Sequence, residues 1–254
     1  MSLDSIKFIG WSDGDRDPLP FDHILEQHSV LRDTIATTLA GDPDSHQNLW
    51  AFVALRSFSY AFNAYKAIGL LLPNHYHESA AVILRQMWEV SLNLHWIERD
   101  PGARSQDFSN FTAVEMRKSI EQWGDRKALK EFDEATDRFQ SKFRFRKHGK
   151  PRAHNNFSRM SVSARSKELG EPWRSDYELV FHMSSMHAHG APGAILHDHF
   201  VEYSESPETR EKNSTALIAY LSMKTIVEDV HLLVRQGFAE GSQAIDEAFK
   251  KTRL

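Results

Sequence analysis

The apolar pattern is densest between His75 and Asp100, HYHESAAVILRQMWEVSLNLHWIERD. On a helical wheel turning about 100° per residue, Ser79, Gln86 and Asn93 share one narrow polar stripe. Ala80, Ala81, Leu84, Met87, Trp88, Leu92 and Leu94 cover most of the other side, and Val82, Val90 and Ile97 encroach on the stripe. So little polar face predicts a helix near the middle of a bundle, with neighbours on several sides.

The same periodicity predicts helices elsewhere. Ile24, His28, Leu31, Ile35 and Leu39 recur at helix spacing after Pro18 and Pro20, until Gly41 and Pro43 stop them. A second helix should run to about Leu72, with Ser45 as its N-cap, and the short Leu72-Pro73-Asn74 break favours a hairpin with the central helix. Asp100-Pro101 ends the central helix and starts another, which Gly124 punctuates. Residues 125–145 look helical and strongly charged. SDYELVFHMSSMHAHG, from Ser175 to Gly190, and a long helix from Ser206-Pro207 to about Gln236 complete the set. The expected architecture is an all-α antiparallel bundle of about six to eight helices in a single domain over 1–254. Its core spans about 19–238, with a basic, mobile segment expected at 138–173 whose part around His148-Gly149-Lys150-Pro151 reads as loop, and a short C-terminal helix at 242–251.

Composition narrows the class. Hydrophobic residues make up 41% and charged residues 26%, as in ordinary globular chains. With no cysteine there is no disulfide, thiol nucleophile or thiolate metal site. No apolar run approaches the roughly 20 residues of a membrane span, and MSLDSIKFIGWSDGD lacks the marks of a signal peptide, so no membrane partner and a cytoplasmic location are expected.

The net charge of −4 argues against indiscriminate nucleic-acid binding by the whole surface. One segment departs from it. Between Arg138 and Lys167 there is no acidic residue, and ten of the chain's 31 Lys and Arg residues lie there, interleaved with Phe139, Phe143, Phe145 and Phe157. Such a segment can track phosphates and stack bases, or it can dock on the acidic remainder of the chain.

Candidate chemistry centres on two stretches. Arg85 and Glu89 share a face of the central helix, and ions at the rim of a core must be paired. Arg85 could anchor an anionic group beside Trp88, with Glu89 orienting it or acting as a base; alternatively the pair is a structural lock between helices. In the later stretch Tyr177, Ser184 and His187 fall on one helical face, and His182 and His189 pair seven apart. These imidazoles could titrate or hold a metal, but ligand spacing of the H-E-x-x-H kind is absent, no metal site is assigned, and the cofactor stays open. No nucleophile elbow, P-loop or dinucleotide fingerprint occurs.

The segment ESAAVILRQMWEVSLNLHWIERDP, followed about ninety residues later by DYELVFHMSSMHAHG, resembles a large group of uncharacterised, mostly bacterial helical proteins known only as a domain of unknown function. Their pattern is an R-x-x-x-E helix, a D-P stop, then a later helix with Tyr and S-x-x-H. It falls here on Arg85, Glu89, Asp100-Pro101, Tyr177, Ser184 and His187, over about 45–235. The resemblance implies an all-α fold and convergence of these residues in one pocket. A weaker likeness is to HEPN-type helical proteins, many of them RNases; their R-x4–6-H hallmark occurs here only as Arg16 to His23, in the proline-rich lead-in rather than on a late helix.

Three readings result. The first is a pocket of Arg85, Trp88, Glu89, Tyr177, His182, Ser184, His187 and His189 that binds, and could hydrolyse, a small anionic ligand. The second is a nucleic-acid-associated protein or HEPN-like RNase using Arg138–Lys167. The third is an interaction module without catalysis, in which self-association stays open.

Overall fold

The computed structural model describes residues 21–38, 48–147, 150–154, 156–182, 207–238 and 247. Its elements are α1 (Phe21–Thr38), α2 (Leu49–Leu71), α3 (His77–Glu98), α4 (Pro101–Trp123), α5 (Arg126–Gln140), a β-ribbon of β1 (Arg144–Lys147) and β2 (Lys150–Ala153), α6 (Val162–Leu169), α7 (Trp173–Asp176), a π-helical segment (Tyr177–His182) and α8 (Pro207–Arg235). The chain is an all-α helical bundle protein carrying one short ribbon. No helix among the described residues is long and apolar enough to cross a membrane. Its contacts divide into two compact units: residues 1–42, 58–91 and 178–254, and residues 43–57 and 92–177.

In the first unit α1 packs on α8. Leu31 and Ile35 of α1, Tyr65 and Ile68 of α2, Leu84, Met87 and Trp88 of α3, and Met223, Ile226 and Val230 of α8 are all buried. Ser79 and Gln86 of α3 are exposed, as the wheel requires, whereas Asn93, the third residue of the expected stripe, is half-buried with its Oδ1 enclosed. His28 is buried between α1 and α2. Its ring stacks on Tyr65 with centroids 3.9 Å apart, and the Tyr65 hydroxyl donates to the His28 carbonyl at 2.9 Å. Gly69 provides the remaining space: a Cβ there would stand 2.8 Å from His28 Cε1 and 2.9 Å from Nδ1. Tyr65 blocks the ring from retreating. Gly69→Ala therefore gains helix propensity of about 1 kcal/mol but overpacks this contact by more, and should lower stability by about 1–2 kcal/mol in chemical denaturation. The same substitution in a His28→Ala background should be neutral or stabilising, because the opposing ring is gone.

The second unit is built from local signals. Asp100 caps α4 by accepting from the Ala103 amide, Pro101 occupies its first turn, and Gly124 closes it at φ 77°. Asp125 caps α5, and Arg117 Nε donates to Asp133 at 2.9 Å, joining the two helices. Asn48 accepts from the Ala51 amide at 2.7 Å at the start of α2, while Ser45, the expected cap, lies outside the described residues.

The described part of the 138–173 segment carries regular structure that the sequence pattern did not predict. Helix α5 stops at Gln140, and the strands pair antiparallel from Arg144↔Ala153 to Lys147↔Lys150. Arg144, Phe145 and Arg146 have the period-2 alternation of a ribbon, over a run too short to stand out. Helix α6 follows, capped by Ser161, whose side chain accepts from the Ala164 amide. The Arg99 guanidinium donates to the carbonyls of Glu168 and Leu169 at 2.8 and 2.9 Å, satisfying the end of α6. The expected helix at 242–251 lies outside the described residues apart from Glu247.

Candidate functional site

In the first unit, α3 and α8 run side by side in the same direction. Residues 77–84 of α3 share a cavity with residues 214–221 of α8, and further along Ser91 Oγ donates to Asp229 Oδ2 at 2.6 Å. Ser91 and Asp229 are both fully buried. The distance is that of a charge-assisted bond. Asp229 continues a polar stripe on α8 through Ser222 and Thr225, whose hydroxyls donate to the carbonyls of Ala219 and Leu221 at 2.8 Å. These two hydroxyls thus meet their donor requirement within the helix.

The cavity holds about 80 Å³ and is lined by His77, Glu78, Ala81 and Leu84 of α3, by Leu179 and Val180 of the π segment, and by Ser214, Leu217, Ile218 and Leu221 of α8. Its wall is mostly aliphatic. The polar residues that line it are His77, Glu78 and Ser214, and no Lys or Arg among the described residues lines it. His77 Nδ1 is buried and meets no hydrogen-bond partner among the described residues. A buried nitrogen left in this state costs about 1–3 kcal/mol. The π-helical segment adds a second irregularity, since such turns are rare and recur at functional sites.

The expected site residues divide three ways. Arg85, Trp88 and Glu89 stand on α3, with Trp88 fully buried and the two charged side chains half-buried. Arg85 follows Ala81 by one turn on the same helical face, so it continues the face that borders the cavity. Tyr177 is half-buried at the α7–π junction and belongs to the second unit, and His182 closes the π segment. Ser184, His187 and His189 lie outside the described residues, as does Arg16 of the Arg16–His23 spacing. Sequence reasoning missed His77, Ser91, Ser214 and Asp229. Asp229 was the legible one: with Glu228 it interrupts the apolar positions Ile226, Val227 and Val230, and it lies next to the core stripe.

Several cations of the basic segment are engaged within the second unit. Lys142 and Arg159 approach the buried Asp107, Arg144 donates to Asp137 at 2.6 Å, and Arg165, itself buried, donates to Ser158 at 2.9 Å.

No curated protein and no solved structure matches the chain. The sequence profile of a family of unknown function does match, over residues 51–207, and by that match the chain belongs to the Family of unknown function (DUF5677).

Proposed function

We propose that this chain binds a small ligand along the α3–α8 seam, with Arg85 holding its anionic group and Glu89 orienting the guanidinium or serving as a base. The observation that supports the reading is the cavity bordered by α3, the π segment and α8, with Arg85 one helical turn beyond Ala81, one of its lining residues. A guanidinium offers a planar fork that suits carboxylate or phosphate, and a half-buried one gains more from such a partner than an exposed one. Trp88, three residues on from Arg85, is fully buried. Nucleic-acid binding through the basic segment has less support, because Lys142, Arg144 and Arg159 have carboxylate partners and Arg165 is buried.

Thermal denaturation across a panel of small carboxylates and phosphates tests the proposal. A ligand at a hundredfold excess over its Kd adds about 2.7 kcal/mol, and should raise the wild-type Tm by about 5–10 °C. Arg85→Ala should abolish that rise, and His187→Ala tests the sequence-based role of the later helix. No shift with any compound, or an undiminished shift in Arg85→Ala, contradicts the reading.

A further inference from the structure

We infer that the second unit carries an anion site of its own, in the cleft between α4 and the ribbon, and that it takes a small organic phosphate monoester. The inference uses neither Arg85 nor the α3–α8 cavity. Val114, Arg117, Lys118 and Glu121, one face of α4, form one wall of a cavity of about 420 Å³. Gln140, at the end of α5, and the cross-strand pair Arg144 and Ala153 form the other. Hydrogen bonds place the guanidinium groups. Arg117 Nε donates to Asp133 Oδ1 at 2.9 Å and Nη1 to Glu121 at 3.0 Å. The same Asp133 oxygen accepts from Gln140 Nε2 at 3.2 Å, and Arg144 Nη2 donates to Gln140 Oε1 at 3.3 Å. Gln140 is buried, so the two guanidinium groups flank one buried amide and are oriented before any ligand arrives. Arg117 Nη2 and Arg144 Nε make no hydrogen bond among the described residues. Lys118 Nζ lies 5.9 Å from the centre of the Phe111 ring, so its side chain runs back along the face of α4 that carries Val114.

Charge and size set the ligand class. The carboxylates of Glu121, Asp133 and Asp137 are engaged by Arg117 and Arg144. Lys118, and Arg146 two residues on from Arg144 on the same ribbon face, have no carboxylate partner among the described residues, so the balance at the cleft is positive. A phosphate monoester brings three terminal oxygens and close to two negative charges, which suits two oriented N–H donors and a mobile ammonium. A carboxylate brings two oxygens and one charge. A cavity of about 150 Å³ accommodates benzene, so this one holds a ring as well as the phosphate. Val114, Ala153 and the aliphatic stems of Lys118 and Arg144 supply its apolar wall.

NMR titration with phenyl phosphate, inorganic phosphate and benzoate, at about pH 8 where a phosphate monoester is a dianion, tests this on wild type, Lys118→Ala, Arg144→Ala and Arg85→Ala. Phenyl phosphate should bind wild type more tightly than inorganic phosphate, and shift amides of α4 and the ribbon. Benzoate should bind this cleft at least about tenfold more weakly, so carboxylates report on Arg85 without interference from it. Lys118→Ala and Arg144→Ala should each weaken phenyl phosphate about tenfold, the loss of one charge-assisted contact, while Arg85→Ala leaves its binding here unchanged. Lys118 is exposed and has no carboxylate partner among the described residues, so its removal reads out binding even if Arg144→Ala disturbs the ribbon. No binding of phenyl phosphate, binding that ignores both substitutions, or benzoate binding this cleft as tightly overturns the inference. Binding of phenyl phosphate that is lost only in Arg85→Ala also overturns it and leaves the α3–α8 reading standing. Binding that depends on Lys118 and Arg144, with no anion effect that depends on Arg85, supports this site and removes the other.

Discussion

Acid should destabilise the unit containing His28 by about 1.4 kcal/mol for each pH unit between 6.5 and about 3. Burial, and secondarily the nearby positive Arg32, lower the pKa of this imidazole from 6.5 to about 3. An unfolded chain takes up the proton near pH 6.5, whereas the folded chain refuses it until about pH 3. Between those limits the unfolded state binds more protons, so stability is fully present above pH 6.5, is lost progressively as the pH falls, and levels off below about 3. The packing explains why the ring cannot move to water: Tyr65 stacks on one side and Gly69 abuts it. Other groups titrate over the same range, so the informative quantity is the difference between wild type and His28→Leu in urea denaturation at several pH values. The wild-type slope should exceed the variant slope by about 1.4 kcal/mol per unit. Parallel slopes would contradict this account of His28.

Loss of Asp229 is the second large effect expected. Asp229→Ala should cost about 3 kcal/mol, near 10 °C in Tm, because it strands the buried Ser91 hydroxyl and leaves a void. Asp229→Asn keeps an oxygen for Ser91 to donate to and should cost less. Ser91→Ala combined with Asp229→Ala should cost clearly less than the two single changes added, since the second removal breaks a bond already gone. Strict additivity in the cycle would mean that the hydrogen bond contributes nothing.

What could be read in the sequence was whatever short-range chemistry specifies. Asp100-Pro101 and Gly124 bound α4 at Pro101 and Trp123 because a capping carboxylate, a preset φ and a left-handed residue each act within one turn. The polar stripe of Ser79 and Gln86 and the burial of Leu84, Met87 and Trp88 followed from helical periodicity alone. The R-x-x-x-E and S-x-x-H pattern pointed to a family of unknown function, and the chain belongs to one. The ribbon and α6 were missed because four-residue strands and an eight-residue helix in a charged segment leave almost no periodic signal. The Ser91–Asp229 bond was missed for a different reason. Its partners are 138 positions apart, and no local pattern states which faces of α3 and α8 will meet. The same holds for His77, whose place beside the cavity is defined only once α3, α8 and the π segment come together.

The most direct test of the ligand site is a crystal structure of the protein soaked with a small carboxylate or phosphate that gives the Arg85-dependent rise in Tm. Its anionic group should lie at the Arg85 guanidinium, with the rest of the compound in the cavity lined by α3, α8 and the π segment. A soaked crystal with that cavity empty, and the compound either absent or bound to other residues, would contradict it.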